Sequence, residues 1–327
     1  IEVFGGYNHN LRIGEGEFYD MKNLTSTDYP VLSPRTQRGI YASPNNPQGM
    51  IEKETLCYVD GTEFVINDDT RIDLGLSTKE EDCPKSLVSM GAYVIIMPDK
   101  KYINTKDYSD RGKIEETLET SGETTFELCK IDGSAYKEPP AQDTAPPNPK
   151  DTDLWLDTSS IPHTLKQYST INSTWVSIAT TYIKITFSDV DLLPFSAGDG
   201  ITISGLEETE LSDLNGTAVI QEVGDNYIVV IGIIKKKTTL ATKITFERLM
   251  PVMDFIIESE NRLWGCKYGK DINGNVFNEI YASKLGDFKN WNCFAGISTD
   301  SYVATVGTDG QFTGAVTHLG YPIFFKE

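Results

Sequence analysis

Three aromatic side chains in the middle of the chain have the chemistry to contact a sugar ring. Trp155, Tyr168 and Trp175 each lie in a short predicted strand, after a proline-rich polar segment at residues 138–153. The flat face of such a ring can stack on the C–H groups of a glycan. A tryptophan in a small hairpin module usually forms the core of that module instead. The sequence therefore leaves two roles open for these residues, glycan or partner contact and internal packing.

The many acidic side chains are the next candidates for catalytic groups. Ser283, Gly286, Asp287 and Trp291 distantly resemble the Asp-box turn of sialidase-type propellers, in which these side chains stabilise a turn. A glycosidase needs two carboxylates about 5–9 Å apart in a pocket, and so many acids are present that no pair stands out. The adjacent pairs are better interpreted as solvated turn charges: Glu207 with Glu208, and Glu258 with Glu260.

Other catalytic and cofactor motifs are missing from the sequence. It contains no Gly-x-Ser-x-Gly element and no Gly-Lys-Ser/Thr phosphate loop. We therefore predict a protein that is not an enzyme, with no catalytic residue and no cofactor. A glycan hydrolase remains the less favoured alternative.

A metal centre is not expected either. The three histidines are far apart, and the five cysteines show no Cys-x-x-Cys spacing, which predicts free and mostly buried thiols. Asp271, Asn273 and Asn275 begin like a calcium-binding loop, but the twelfth position is Ala282 instead of glutamate. A plain hairpin loop is the better interpretation.

The charge of the chain restricts its partners. With 29 Lys and Arg against 48 Asp and Glu, the net charge is −19. Binding to nucleic-acid phosphates or to an anionic membrane surface requires a local excess of basic residues. No apolar run approaches the roughly 20 residues that span a bilayer. We expect neither nucleic acid nor membrane as a partner.

Short alternating strands predict an all-β fold with low helical content. Asp60-Gly61 separates two apolar runs, which is a strong hairpin signal because glycine tolerates a positive φ. Comparable strand-turn-strand units occupy residues 86–105 and 258–283, as in the blades of a β-propeller. Trp264 in the latter unit is predicted to pack between blades.

The pattern changes in the middle of the chain, which predicts an insertion. Residues 182–250 read as a compact small β-barrel or sandwich, and residues 17–24 are the one part of the N-terminal arm with helical spacing. The predicted divisions are an extended arm (1–44), propeller blades (45–120), a proline-rich loop with a tryptophan-containing hairpin module (121–181), the inserted barrel or sandwich (182–250) and further blades (251–327).

Several segments, in this order, resemble β-propeller virion structural proteins of tailed bacteriophages and prophages. They are FGG (4–6), DMKNL (20–24), YPVLSPR (29–35), SMGAY (89–93), PDKKYIN (98–104), RLWG (262–265) and IYAS (280–283). The module DLWLD (153–157), LKQY (165–168) and WV (175–176) is also similar to a segment recurrent in phage structural proteins, and residues 198–217 are similar to small β-barrel modules inserted in them.

The resemblance implies a partial propeller interrupted by an inserted small β module. The remaining blades are expected after Glu327 or from partner chains, because a closed propeller needs at least about four blades. It also implies a non-enzymatic virion protein of the tail or head-to-tail region, assembled in the bacterial cytoplasm. Its partners would be other virion proteins, including copies of itself in a homo-oligomeric ring. The alternative is a tail module that binds host glycans through Trp155, Tyr168 or Trp175.

Overall fold

A computed structural model describes residues 5–25, 27, 32–190, 192–207 and 210–327. The prediction of an all-β fold is confirmed, because the helices in these residues are two short 3-10 turns, Glu80–Asp82 and Ser212–Leu214. No helix in the described ranges is long and apolar enough to cross a membrane. Some residues named above lie outside these ranges. They are Phe4 and residues 29–31 of the resembling segments, and Glu208 of the pair with Glu207.

The chain divides into two compact units, Ile1–Asn45 and Asn46–Glu327. The first unit contains a parallel and an antiparallel strand pair, formed by β1 (Gly6–Tyr7) with β2 (Glu17–Phe18) and by β3 (Leu24–Thr25) with β4 (Ser33–Pro34). None of its described hydrophobic side chains is buried. Residues 17–24, whose spacing would have allowed a helix, form none, because the Glu17 carboxylate accepts bonds from Asn8 and from the Gly14 N–H and holds an extended loop.

The second unit begins with two antiparallel four-stranded sheets, each with its strands in chain order. Sheet 1 comprises β5 (Pro47–Lys53), β6 (Thr55–Asp60), β7 (Glu63–Ile66) and β8 (Thr70–Asp73). Sheet 2 comprises β9 (Ser86–Met90), β10 (Tyr93–Met97), β11 (Lys101–Asn104) and β12 (Arg111–Lys113). The hairpin predicted at Asp60-Gly61 is confirmed, with Gly61 at a φ of 65°.

Sheet 2 is buried on both faces because successive residues of a strand point to opposite sides. Val94 and Ile96 pack with Phe64 of sheet 1 in one core. Ile95, between them, packs with Leu263 in a second core. Sheet 2 therefore lies between sheet 1 and a third four-stranded sheet described below.

The chain then enters a larger eight-stranded sheet and makes an excursion from it. Strands β13 (Glu116–Glu119) and β14 (Thr124–Cys129) come first. The excursion, named here the tryptophan sheet, contains β15 (Ala141–Gln142), β16 (Leu154–Asp157), β17 (Thr164–Ser169) and β18 (Thr174–Ser177). The proline-rich segment therefore supplies a strand of this sheet, since Ala141–Gln142 pairs with Leu154–Asp157.

The remaining strands of the eight-stranded sheet follow the excursion. They are β19 (Tyr182–Phe187), β20 (Gly200–Ser204), β21 (Gly216–Val223), β22 (Tyr227–Ile231), β23 (Thr238–Leu240) and β24 (Thr245–Arg248). The sheet takes in two strands before residue 182, because β13 pairs with β24 and β14 with β19. Its order, β13-β24-β20-β21-β22-β19-β14-β23, leaves it unclosed.

The eight-stranded sheet folds over on its own core. Strand β21 has a register irregularity between Ile220 and Glu222, and such bulges bend a strand. Phe187 on β19 and Phe246 on β24 have three strands between them in the sheet order, yet their rings meet edge to face at 5.2 Å. The two halves of the sheet therefore face each other across one apolar core.

Sheet 3 and a final hairpin complete the chain. Sheet 3 comprises β25 (Phe255–Ser259), β26 (Arg262–Lys270), β27 (Val276–Ala282) and β28 (Tyr302–Thr305), and the end hairpin comprises β29 (Phe312–His318) and β30 (Tyr321–Lys326). Trp264, predicted to pack between blades, is half-buried and lies on the other face of β26 from Leu263. Leu263 and Trp291 fill the core shared with sheet 2, while the Trp264 indole donates to the Ser259 carbonyl.

Candidate functional site

The structure brings Trp155, Tyr168 and Trp175 together in the tryptophan sheet. Tyr168 and Trp175 are directly paired across β17 and β18, and Trp155 lies on the neighbouring β16. The Trp175 ring meets Trp155 at 5.5 Å and Tyr168 at 5.4 Å between ring centroids, both edge to face. This geometry is favourable for aromatic rings and fixes the plane of Trp175.

The three residues differ in their exposure, which separates the two roles that the sequence left open. Trp155 is 6% exposed, and its indole N–H donates to the Gln142 carbonyl at 2.9 Å. Its environment is that of a core residue, beside the fully buried Leu156 and Leu165. Tyr168 and Trp175 are half-buried. Trp155 therefore supports the cluster from inside.

A groove of about 440 Å³ lies beside Trp175. Neither Trp155 nor Tyr168 lines it. Its wall is the proline-rich segment, and the lining residues are Lys137, Glu138, Pro139, Pro140, Pro146, Pro147, Pro149, Thr152, Asp153, Leu154 and Trp175. The segment predicted as an exposed loop is thus an ordered wall, and the proline-walled groove combines one aromatic face with several polar groups.

Asp157 holds the far end of β16 in place. Its carboxylate accepts bonds from the Lys166 ammonium at 2.7 Å and from the backbone N–H and hydroxyl of Ser159. These bonds, led by that of Lys166, lower the pKa of Asp157 to about 2. A carboxylate so fully occupied by neighbours stabilises a turn and is not available as a proton donor.

The other acids considered from the sequence also serve local structure. Asp271 accepts bonds from the Asn275 side-chain amide and from the backbone N–H groups of Asn275 and Asn273, which lower its pKa and close the hairpin loop as predicted. Glu258 accepts from the Asn261 N–H in the adjacent turn. Within the described ranges, no three or more His, Cys, Asp and Glu side chains are grouped to hold a metal ion.

The Asp-box-like turn is ordered by its own side chains. The Ser283 hydroxyl accepts from the Leu263 N–H, and Asp287 accepts from the Lys289 N–H and from the Asn290 amide. Trp291 is buried and donates its indole N–H to the Phe288 carbonyl. These contacts are those expected of side chains that stabilise a turn.

Asn290 also joins this turn to the eight-stranded sheet. Its amide nitrogen donates to Asp199 at 2.8 Å, and its amide oxygen accepts from the Gly200 N–H at 2.8 Å. Asp199 is in turn paired with Arg248 at 2.5 Å, and both side chains are less than a tenth exposed. No local motif in the sequence predicts this network, because its members are about 50–90 residues apart.

A second concavity, the junction cleft, opens above this network. It has a volume of about 500 Å³ and is lined by sheet 2, the loop before β20 and residues 286–289. Tyr102 and Phe288 meet there at 5.2 Å, and the Lys289 ammonium donates to the Tyr102 hydroxyl at 2.9 Å. No local motif could have predicted this cleft, since it forms only when three distant segments meet.

All five cysteines are free thiols, and all but Cys83 are buried. Burial raises the pKa of Cys129 and of Cys266 to about 11, so these thiols stay protonated at neutral pH. The prediction of free and mostly buried thiols is confirmed. These cysteines behave as small core residues and not as nucleophiles.

Comparison with known proteins adds no relative to this description. No protein-family model matches the chain, and no curated protein matches it.

Proposed function

We propose that the chain is a non-enzymatic structural protein of a tailed-phage or prophage virion that acts through protein–protein assembly in the tail or head-to-tail region. The phage assignment is supported by the order of the resembling segments, among them residues 89–93, 98–104 and 262–265. The assembly role is supported by an apolar surface on the end hairpin. Asp287, Glu258 and Asp271 accept hydrogen bonds within turns, which favours a structural role over a glycosidase.

We further propose that sheets 1, 2 and 3 are consecutive propeller blades. Each has four antiparallel strands in chain order, and neighbouring sheets share cores through their faces. Their first strands, β5, β9 and β25, contact one another in succession, and β25 also contacts β29. Inner strands that follow one another around an axis are typical of a propeller. The end hairpin would be half of a further blade.

The eight-stranded sheet is then a module inserted between the second and third blades. The chain leaves sheet 2 at Lys113, enters the module at Glu116 and leaves it at Arg248 before sheet 3. The network of Asp199, Arg248 and Asn290 ties the module to the connection between β27 and β28 of sheet 3. This attachment favours a rigidly oriented module that carries the tryptophan sheet outward.

The end hairpin offers the clearest assembly surface. Leu319 is 83%, Tyr321 71% and Phe325 51% exposed, and among the described residues β30 pairs with a strand on one side only. An unpaired edge beside exposed apolar side chains is a template for pairing with another chain. We assign this surface to contact with a second copy of the chain in a ring, as the phage resemblance implies.

The first unit is proposed as a strap to a neighbouring copy. Its Leu11, Ile13 and Ile40 are exposed, and none of its described hydrophobic side chains is buried. An extended segment of this kind gains its apolar burial on another molecule. The net charge of −19 disfavours DNA and anionic membranes as alternative partners.

Sedimentation velocity of the purified chain tests the assembly proposal. Wild type is expected to form a defined oligomer at micromolar concentration, and the Tyr321→Glu/Phe325→Glu variant is expected to sediment as a monomer with unchanged circular dichroism. Ile171→Glu is the matched control, since Ile171 is 93% exposed but lies in the tryptophan sheet. Equal behaviour of wild type and the hairpin variant would contradict the proposed interface.

A further inference from the structure

We propose that the proline-walled groove beside Trp175 is a binding site for a neutral mono- or disaccharide. The inference concerns this groove alone and does not depend on the assembly role of the end hairpin. Its volume of about 440 Å³ lies within the range of small-molecule sites, which combine apolar walls with a few polar groups.

Trp175 provides a flat surface on which a sugar ring can stack. Its ring lines the groove and is half-buried, so part of the indole is accessible. Its plane is held by edge contacts with Trp155 and Tyr168, and Trp155 is itself fixed by its bond to the Gln142 carbonyl. A flat apolar ring in a fixed plane suits the C–H face of a pyranose and loses little conformational entropy on binding.

The proline-rich wall of the groove is rigid. Five prolines line the groove, and each has a φ locked by its ring. The parallel pairing of Ala141–Gln142 with Leu156 and Asp157 anchors this segment to the sheet. The concave shape is therefore formed before a ligand arrives, which reduces the ordering cost of binding.

Several hydrogen-bonding atoms line the groove together with the Trp175 ring. Asp153 uses Oδ2 to accept from the Lys150 N–H, and Glu138 uses Oε1 to accept from the Lys237 N–H. Within the described ranges, Asp153 Oδ1, Glu138 Oε2 and the Thr152 hydroxyl have no hydrogen bond. Carboxylate oxygens accept only, so they match the hydroxyl donors of a sugar.

The charge of the groove selects among sugars. The lining of the groove contains two carboxylates, Glu138 and Asp153, and one ammonium, Lys137, in a chain of net charge −19, while the basic run 235–237 borders Glu138 from a neighbouring concavity. An acidic saccharide would be repelled by this field, whereas a neutral one would not. A proline-rich peptide is the competing ligand, because aromatic grooves also bind polyproline helices.

Isothermal titration and saturation-transfer NMR on the full chain test the proposal. The probes are glucose, galactose, N-acetylglucosamine, cellobiose, lactose and chitobiose, with a ten-residue polyproline peptide for comparison. We expect saturable binding of at least one neutral sugar, weakened roughly tenfold or more by Trp175→Ala, which corresponds to about 1.4 kcal/mol. The control Ile171→Ser changes an exposed residue of the same sheet and should bind as wild type does.

A second variant protects the test against misfolding of the tryptophan sheet. Asp153→Asn can keep the bond to the Lys150 N–H through its amide oxygen, so it should fold normally and bind the sugar several-fold more weakly. Three results would overturn the proposal: no sugar of the panel binds, the sugar binds Trp175→Ala as well as wild type, or the polyproline peptide alone binds. Loss of oligomer formation in the hairpin variant with sugar binding intact would separate this site from the assembly role.

Discussion

At the scale of single residues, the buried pair of Asp199 and Arg248 carries the attachment of the eight-stranded sheet. Both side chains are less than a tenth exposed, and the two groups are 2.5 Å apart. The Arg248 Nε also donates to the Ile114 carbonyl, next to β13. Removing one member of a buried pair leaves the other charge without compensation, which costs more than the pair contributes.

We predict that Arg248→Met lowers the free energy of unfolding by about 3–5 kcal/mol. Urea unfolding followed by circular dichroism measures this loss. The double variant Arg248→Met/Asp199→Asn should lose less than the sum of the two single variants. Lys243→Met is the matched control, because Lys243 forms an exposed pair with Glu119 in the same sheet and should cost under about 1 kcal/mol. Additive losses, or equal losses for the buried and the exposed pair, would contradict the role of the network.

Asp157 gives the tryptophan sheet a pH dependence of known sign. The bonds from Lys166 and Ser159 lower its folded pKa to about 2, whereas an unfolded aspartate titrates near 4. The carboxylate contribution to stability is therefore complete above about pH 4 and is lost as the pH falls toward 2.

Tryptophan fluorescence during unfolding at pH 2–5 can follow this dependence, since Trp155 and Trp175 lie in the same sheet. Asp157→Asn should be less stable than wild type at pH 5, and the difference between them should shrink steadily toward pH 2. A difference that stays constant over this range would show that the Asp157 carboxylate does not stabilise the sheet.

At the scale of elements, close backbone approach fixes how β20 meets the connection between β27 and β28 of sheet 3. A Cβ added at Gly200 would lie 2.4 Å from the Asn292 carbonyl oxygen and 2.7 Å from the Cys293 nitrogen. Backbone atoms cannot move away as a flexible side chain can, so a larger residue must separate the two segments.

Gly200→Ala is therefore expected to destabilise the fold by about 1–3 kcal/mol or more. Gly307→Ala is the matched control, because a Cβ there meets no atom within 4 Å and Gly307 has an ordinary φ. Thermal unfolding of both variants compares them directly. The account predicts a lowered melting temperature for Gly200→Ala alone, and similar melting temperatures for the two variants would refute the close-approach argument.

The sequence predicted those elements whose pairing is local. The Asp60-Gly61 hairpin, the units of sheets 2 and 3 and the alternating strand Tyr182–Phe187 were recognisable, because turn chemistry and period-two burial act over a few residues. The pairing of Thr124–Cys129 with Tyr182–Phe187 was not, since the whole tryptophan sheet lies between these strands.

The sequence likewise predicted the candidate sites only where the signal is local. Aromatic type alone identified Trp155, Tyr168 and Trp175 but could not rank them, because exposure depends on which face of each strand is covered. The period of two also places Trp264 and its neighbour Leu263 on opposite faces of β26, and Leu263 occupies the core shared with sheet 2. The groove and the junction cleft arise from segments that meet only in three dimensions, so no spacing in the sequence announces them.

At the scale of the whole molecule, the second unit contains three four-stranded sheets, and the eight-stranded sheet lies between the second and third of them along the chain. Such an arrangement presents one module at a fixed orientation and leaves an apolar hairpin at the end of the series. The proposed ring would bring together copies that each carry a charge of −19. Their mutual repulsion is screened by salt, while the apolar contact between them is not.

The molar mass of the purified chain, measured by light scattering at 20 mM and 500 mM NaCl over a range of protein concentrations, tests the central claim most directly. We expect a discrete oligomer that forms at a lower protein concentration in 500 mM than in 20 mM NaCl. Salt screens the electrostatic repulsion between copies but does not weaken their apolar contact. A mass of one chain, 36.4 kDa, at every concentration and both salt levels would contradict an assembly role for this protein.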